Sequence, residues 1–365
     1  MPAETEAVKT PLYDVHVGLS GQMVDFAGFL MPLRYASETA EHVAVRTAAG
    51  LFDLSHMGEI FVTGTGAAAA LDHALVGDLS ALAVGRARYT MICAQDGGVL
   101  DDLIVYRLAD EVFLVVANAA NIAVVADALT ERAAGFDAAV EDRSAAYALV
   151  ALQGPLAHEI LARHTDAPLA GLKYYAILAG RVAGVDALIA RTGYTGEDGF
   201  ELFVSAADAV AVWRALAAEE QVVPAGLAAR DSLRLEAGMP LYGNELTAET
   251  TPFEANLGRV VKLDKPVDFV GKKALAAQAA TPPGRRLVGL VARGRRSPRQ
   301  GYAVLTAAGL PCGVVTSGAP SPTLGRPIAL AYLDTGVVEE DGLAVDVRGR
   351  PEAVDVVALP FYKRH

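Results

Sequence analysis

Two adjacent carboxylates, Asp101 and Asp102, stand inside the otherwise apolar run QDGGVLDDLIVYRL. A charged side chain is costly to bury, so a chain that places two here has a use for at least one. Side chains alternate faces along a strand. Leu100, Asp102, Ile104 and Tyr106 therefore share one face, and Val99, Asp101, Leu103, Val105 and Arg107 share the other. Both faces are mainly apolar, which predicts an interior strand covered on both sides. At least one Asp then enters an enclosed space, where desolvation raises its pKa unless hydrogen bonds or a cation favour the charge. A structural pair, one Asp capping hairpin amides and the other at a wet edge, satisfies the same spacing.

Other stretches carry chemistry with different specificity. GYTGEDGFEL packs three glycines, Tyr194, Glu197, Asp198 and Glu201 into one loop and strand start. Glycines let backbone approach a ligand or turn sharply, and a solvated surface turn reads equally well. AGLAARDSLRLEAGMPLYGNE places Arg230 and Arg234 four apart on one helix face. Arg among small apolar residues is a candidate carboxylate clamp; an internal ion pair with Asp231 or Glu236 is the alternative. VTGTGAAAA resembles half of a dinucleotide fingerprint, but hairpins follow it rather than a βαβ unit, so a tight turn is the better reading. His158-Glu159 has its next His six positions on rather than four, which removes a zinc-protease reading. No nucleophile elbow or P-loop is present, and seven scattered His with two distant Cys argue against a metal centre. RRLVGLVARGRRSPRQ forms a local basic run, either a solvated face or a docking site for an acidic partner.

The elements that position these residues follow from pattern. Ser37 to Ala48 reads as a capped helix. Strands are predicted over 59–63, 89–94, 99–108, 112–117 and 147–153, with a Gly-Gly hairpin turn at Gly97-Gly98. Helices are predicted over 67–75, 118–133, 205–218 and, with proline at its first position, 155–163. Strands at 181–192 and 201–204 complete an α+β pattern. After the TPPGRR linker, six short apolar runs separated by Gly, Pro and Ser predict a small β-sandwich or barrel. The 365 residues suggest two or three domains at roughly 100–200 residues each. A net charge of −12 works against nucleic acid as the main partner. No apolar run approaches the ~20 residues of a membrane span. The acid-rich start MPAETEAVKTPLYD reads as no secretory or transit leader, and the cysteine count fits a reducing cytoplasm.

Taken in order, LFDLSHMGEI, DGGVLDDLIVYR, VVANAAN, ALQGP, RTGYTGEDGFEL, GLAARDSLRLEAG, LYGNEL with TPFEANLG, FVGKKAL and TSGAPSPTLGRPIALAYL closely resemble the aminomethyltransferase, or T-protein, family of the glycine cleavage system. The resemblance implies an α+β chain in a three-domain cloverleaf around a central folate opening, with a C-terminal all-β barrel. Residues 1–50 with parts of 140–175 and 240–280 would form the first domain, 51–140 with 176–239 the second, and 281–365 the barrel. It implies transfer of a one-carbon unit from the aminomethyl-dihydrolipoyl arm of a carrier, the H-protein, to tetrahydrofolate, with no metal. Asp102 matches the family's catalytic Asp, leaving Asp101 a structural role. Glu201 and Arg230 match folate-binding positions; Tyr194, Tyr89, Met57, Tyr106 and Asn118 match pocket-lining ones; Tyr362 would close over the ligand. Arg259 stands where many relatives carry an aromatic. A folate-binding iron–sulfur assembly factor or a folate-dependent demethylase of the same superfamily is the alternative.

Overall fold

The computed structural model describes residues 7–337 and 342–364; residues 1–6, on which much of the leader expectation rests, lie outside the described residues. The chain forms two compact units: Met1–Ala74 with Asp78–Tyr89 and Leu103–Arg230, and Leu75–Gly77 with Thr90–Asp102 and Asp231–His365. The division falls inside the strands Ala87–Cys93 and Val99–Ala109 and inside the helix Leu227–Glu236.

A six-stranded sheet lies within the first unit, in the order Ile177–Val182, Val185–Ala190, Gly199–Ser205, Tyr147–Gln153, Ala49–Asp53, Val222–Pro224. Its three central strands are almost wholly buried, which explains their continuous apolar sequences. Val150, Leu152, Phe200, Leu202 and Val204 pack with Ile160, Val212 and Trp213 from the helices Ala157–Ala162 and Ala209–Ala217. A smaller sheet in the order Val8–Lys9, Phe29–Arg34, Gln22–Phe26 also belongs to this unit.

The strand Val99–Ala109 is interior in a five-stranded sheet ordered Ala87–Cys93, Val99–Ala109, Val112–Ala117, Gly58–Thr63, Ala139–Asp142. Its burial alternates as its sequence does. Val99, Asp101, Leu103 and Val105 are sealed, while Leu100, Asp102 and Ile104 keep partial exposure.

In the second unit the six apolar runs close into a barrel. Around it run Arg285–Ala292, Arg326–Asp334, Pro311–Ser321, Ala303–Thr306, Leu343–Asp346 and Pro351–Val357. Arg285 and Arg286 already belong to the first barrel strand, so the linker expected over TPPGRR is shorter by two residues.

Local expectations differ from the structure where a short turn competes with a helix. The segment after Gln153 becomes helical only at Ala157–Ala162, because Gly154 (φ +138°) and the turn accepting Ala157 N–H at Gly154 O occupy the first positions. The helix expected from Asn118 opens as the 3₁₀ turn Ala119–Asn121 before Ile122–Ala133. The short helix Tyr13–Gly18 is too brief for a periodic pattern to reveal it. Ser37 caps Glu38–Thr47 as expected, its hydroxyl accepting from Ala40 N–H.

Candidate functional site

Glu201 lies on the strand Gly199–Ser205, with Ala151 and Ala190 opposite it on the two neighbouring strands. Small neighbours leave room for a carboxylate in a buried sheet. Its Oε2 accepts from Thr192 Oγ1 at 2.5 Å and lies 3.4 Å from the Tyr106 hydroxyl; Tyr106 and Thr192 are themselves 2.9 Å apart. Tyr106 and Thr192 are each 1% exposed and Glu201 is 9%. Burial pushes the Glu201 carboxyl above its ordinary value, opposed by the Thr192 hydrogen bond, the Arg230 charge and Tyr106. Burial and the Glu201 charge drive the Tyr106 phenol well above its ordinary value, so it stays a neutral donor.

Arg230 stands with its guanidinium 4.8 Å from the centre of the Tyr194 ring, a cation–π contact. Two features place that Arg. Glu41, itself buried, accepts from the amides of Tyr35, Ala36 and Gly226 at 2.8, 3.1 and 3.0 Å. Gly226 begins the turn, its carbonyl accepting Arg230 N–H at 3.0 Å, and a Cβ there would lie 2.4 Å from the Leu33 carbonyl oxygen. Only glycine fits that close approach.

The loop bearing Tyr194 is fixed from outside and within. Gln153 donates to the Thr192 carbonyl at 3.0 Å and accepts from Thr195 Oγ1 at 2.9 Å. A Cβ on Gly193 or Gly199 would strike the Gln153 side chain. Arg46 binds Glu197 Oε1 at 3.0 Å, and Arg191 grips both oxygens of Asp198 at 2.9 and 2.6 Å. Glu197 and Asp198 are therefore consumed by the scaffold.

Three groups in this unit escape the sequence reading. Asp53 accepts from Thr10 at 2.8 Å and lies 2.9 Å from His16 Nε2, while the Tyr35 hydroxyl meets His16 Nδ1 at 2.8 Å. Burial raises the Asp53 carboxyl, but its bonds to His16 and Ser55 outweigh that and hold it low. His56 is buried with Nδ1 unpartnered, its ring edge-on to Phe26 at 5.5 Å. Burial, then the Arg230 charge, press its pKa down to about 4, so the ring is neutral at physiological pH. Thr192 is the third. Asp53 takes Thr10 and His16, His56 takes Phe26 and Thr192 takes Tyr106, all at separations that no periodicity signals.

Of the other residues expected in the site, Met57, Tyr89 and Asn118 are half-buried members of this same unit. Asp102 and Tyr362 belong to the second unit and are also half-buried. Asp101 is fully buried. Burial and then the charges of Asp101 and Asp102 raise the Tyr242 phenol, which places Tyr242 of the LYGNEL stretch near the acidic pair. The hairpin beneath them is tight: Val99 N–H reaches the Thr250 carbonyl at 3.0 Å, and a Cβ on Gly98 would lie 2.0 Å from the Ala248 carbonyl.

Arg234 takes the internal-pair role. It binds Asp231, Glu245 and Ser317 at 2.8, 2.9 and 2.7 Å, whereas Glu236 instead accepts from Ser321 and Thr323 at 2.5 and 2.7 Å. The basic run is partly spent on the barrel: Arg293 pairs with Asp355 and Arg296 with Glu352, both at 2.7 Å. Arg259 is exposed on the 3₁₀ turn Gly258–Val260. At VTGTGAAAA the strand Gly58–Thr63 pairs antiparallel with both neighbours, which removes the dinucleotide reading. Among the described residues no group of three His, Cys, Asp or Glu is arranged to hold a metal. Cys93 and Cys312 are buried thiols outside any disulfide.

Residues 12–265 match the GCVT N-terminal domain, and residues 285–363 match the glycine cleavage T-protein C-terminal barrel domain. The chain belongs to the glycine cleavage T-protein family. Similar T-protein relatives include the aminomethyltransferases of Saccharopolyspora erythraea, 63% identical over 98% of both chains, and of Streptomyces coelicolor, 62% identical over 99% of both. The aminomethyltransferase of Thermus thermophilus is 51% identical, covering 97% of this chain and 98% of its own. The crystal structure of the Bartonella henselae glycine cleavage system aminomethyltransferase T superposes with a TM-score of 0.92 at 38% identity, over 98% of both chains. The six short runs, read as a sandwich or barrel, form the closed T-protein barrel that the resemblance implied. No helix among the described residues is long and apolar enough to cross a membrane.

Proposed function

We propose that this T-protein takes the aminomethyl group from the reduced lipoyl arm of an H-protein and delivers its carbon to tetrahydrofolate. Ammonia leaves, methylenetetrahydrofolate forms, and the dihydrolipoyl carrier is released. The observation that carries the folate part is the buried Tyr106–Thr192–Glu201 chain, in the same unit as an Arg230 guanidinium stacked on Tyr194. An anchored carboxylate suits the N–H donors of a pterin. The guanidinium suits carbonyl or carboxylate oxygens, and the tyrosine rings supply flat apolar contact. Met57, Tyr89 and Asn118 are assigned to the lining, and Tyr362 to closure over the ligand.

Asp102 is assigned the catalytic role: it hydrogen-bonds the pterin, orients it and assists proton loss as the folate nitrogen attacks the one-carbon unit. The assignment rests on the family match and on the partial exposure of Asp102 beside a sealed Asp101. The three-domain partition, with residues 281–365 as the barrel domain, and a cytoplasmic setting belong to the same reading. The test is a coupled assay with glycine, the other cleavage components and tetrahydrofolate. Ammonia and methylenetetrahydrofolate should form only when this chain is present. Asp102→Asn should lose about 10²–10⁴-fold in turnover while keeping its fold. Near-normal turnover removes Asp102 from the chemistry, and folate binding without either product favours the assembly-factor role instead.

A further inference from the structure

We infer that Thr192 is the positioning residue for Glu201: its hydroxyl ties down Oε2 and leaves Oε1 to meet the ligand. The inference rests on the folate reading for the identity of that ligand. Its geometry stands independently. Thr192 Oγ1 donates to Oε2 at 2.5 Å, while the Tyr106 hydroxyl is 3.4 Å from the same oxygen, at the outer limit of a hydrogen bond. Thr192 has one proton to give. With that proton on Glu201, the Tyr106 hydroxyl 2.9 Å away donates to Thr192 Oγ1, and the chain runs in one direction, Tyr106 to Thr192 to Glu201. No hydrogen bond from the described residues reaches Oε1. Thr192 itself is held by the Gln153 amide on its carbonyl, so the donor is fixed in place.

The physical role follows. A carboxylate in a buried sheet tends to take up a proton, and a protonated Glu201 is a poorer acceptor for ligand N–H groups. The Thr192 bond is the largest of the effects that oppose burial here, ahead of Arg230 and Tyr106. Thr192 thus fixes the direction of Glu201 and favours its charge without touching the ligand.

Two variants separate this from a role in packing. Thr192→Val keeps the shape and removes the hydroxyl; Thr192→Ser keeps the hydroxyl and removes the methyl. Tetrahydrofolate binding by calorimetry should weaken by about tenfold or more in Thr192→Val, the size expected for losing a charge-assisted bond. Thr192→Ser should bind like the parent. KM for tetrahydrofolate should rise in the Val variant more than kcat falls. In ligand-free protein, the Glu201 carboxyl, followed by difference infrared spectroscopy against a Glu201→Gln control, should titrate at higher pH in Thr192→Val and at the parent value in Thr192→Ser. An unmoved Glu201 titration in Thr192→Val overturns the inference, as do equal losses in the Ser and Val variants. If the parent chain binds no tetrahydrofolate, the functional reading falls instead, and the ligand-free titration still decides the role of Thr192.

Discussion

Glu59 offers a sharp test of the energetics. It lies on the strand Gly58–Thr63, is 1% exposed, and its Oε1 has no hydrogen-bond partner. Burial, followed by the nearby Asp142 charge, raises its pKa from 4.5 to about 9. The folded chain therefore keeps a proton that the unfolded chain loses above pH 4.5. That contribution is fully present below 4.5 and is lost as pH rises toward 9, at about 1.4 kcal/mol per pH unit. Glu59→Gln keeps the shape and cannot ionise, so it lacks this slope. Relative to the parent it should gain about 3 kcal/mol between pH 5 and 7.5. This requires only that the folded value stay above 7.5. His56 contributes an opposite slope below pH 6.5, because its pKa is lowered, but it is present in both proteins and drops out of the difference. The assay is urea unfolding at several pH values, followed by fluorescence of Trp213. This is the one tryptophan of the chain; it is buried in the unit that holds Glu59. Parallel stability-versus-pH curves for the two proteins would refute the reasoning, since they require a Glu59 that ionises equally in both states.

Two further substitutions probe the scaffold. Gly226→Ala forces a Cβ against the Leu33 carbonyl and should cost about 1–3 kcal/mol in the Trp213 unfolding transition. It should also weaken tetrahydrofolate binding, because Gly226 opens the turn that places Arg230; unchanged stability and affinity would contradict the close approach. Arg234→Met strands Glu245, which is fully buried and bound by Arg234 at 2.9 Å, and should cost about 3–5 kcal/mol, read as a lowered melting transition in scanning calorimetry. An unshifted transition would mean that the network contributes nothing.

The sequence by itself settled what is local or carried by ordered motifs. Alternation in VLDDLIVYRL sufficed to make an interior strand, because each residue's face follows from its parity. Six short apolar runs sufficed for a small all-β domain, sandwich or barrel, and the motif order sufficed for the family and, through it, the barrel. The alternation also left both Asp residues eligible for burial; packing decided that Asp101 is sealed and Asp102 is not. Arg230 and Arg234 share one helical face by spacing, yet only tertiary partners separated them: Tyr194 receives the first, and Asp231, Glu245 and Ser317 bind the second. Likewise Glu197, Asp198 and Glu201 are alike as acids within five positions. Arg46 and Arg191 neutralise the first two, while Thr192 and Tyr106 hold the third. Helical and strand periodicity report a residue's neighbours along its own element. What a carboxylate does depends on the charge and hydroxyls brought to it from elements as far as 151 positions away, and only the folded chain supplies those.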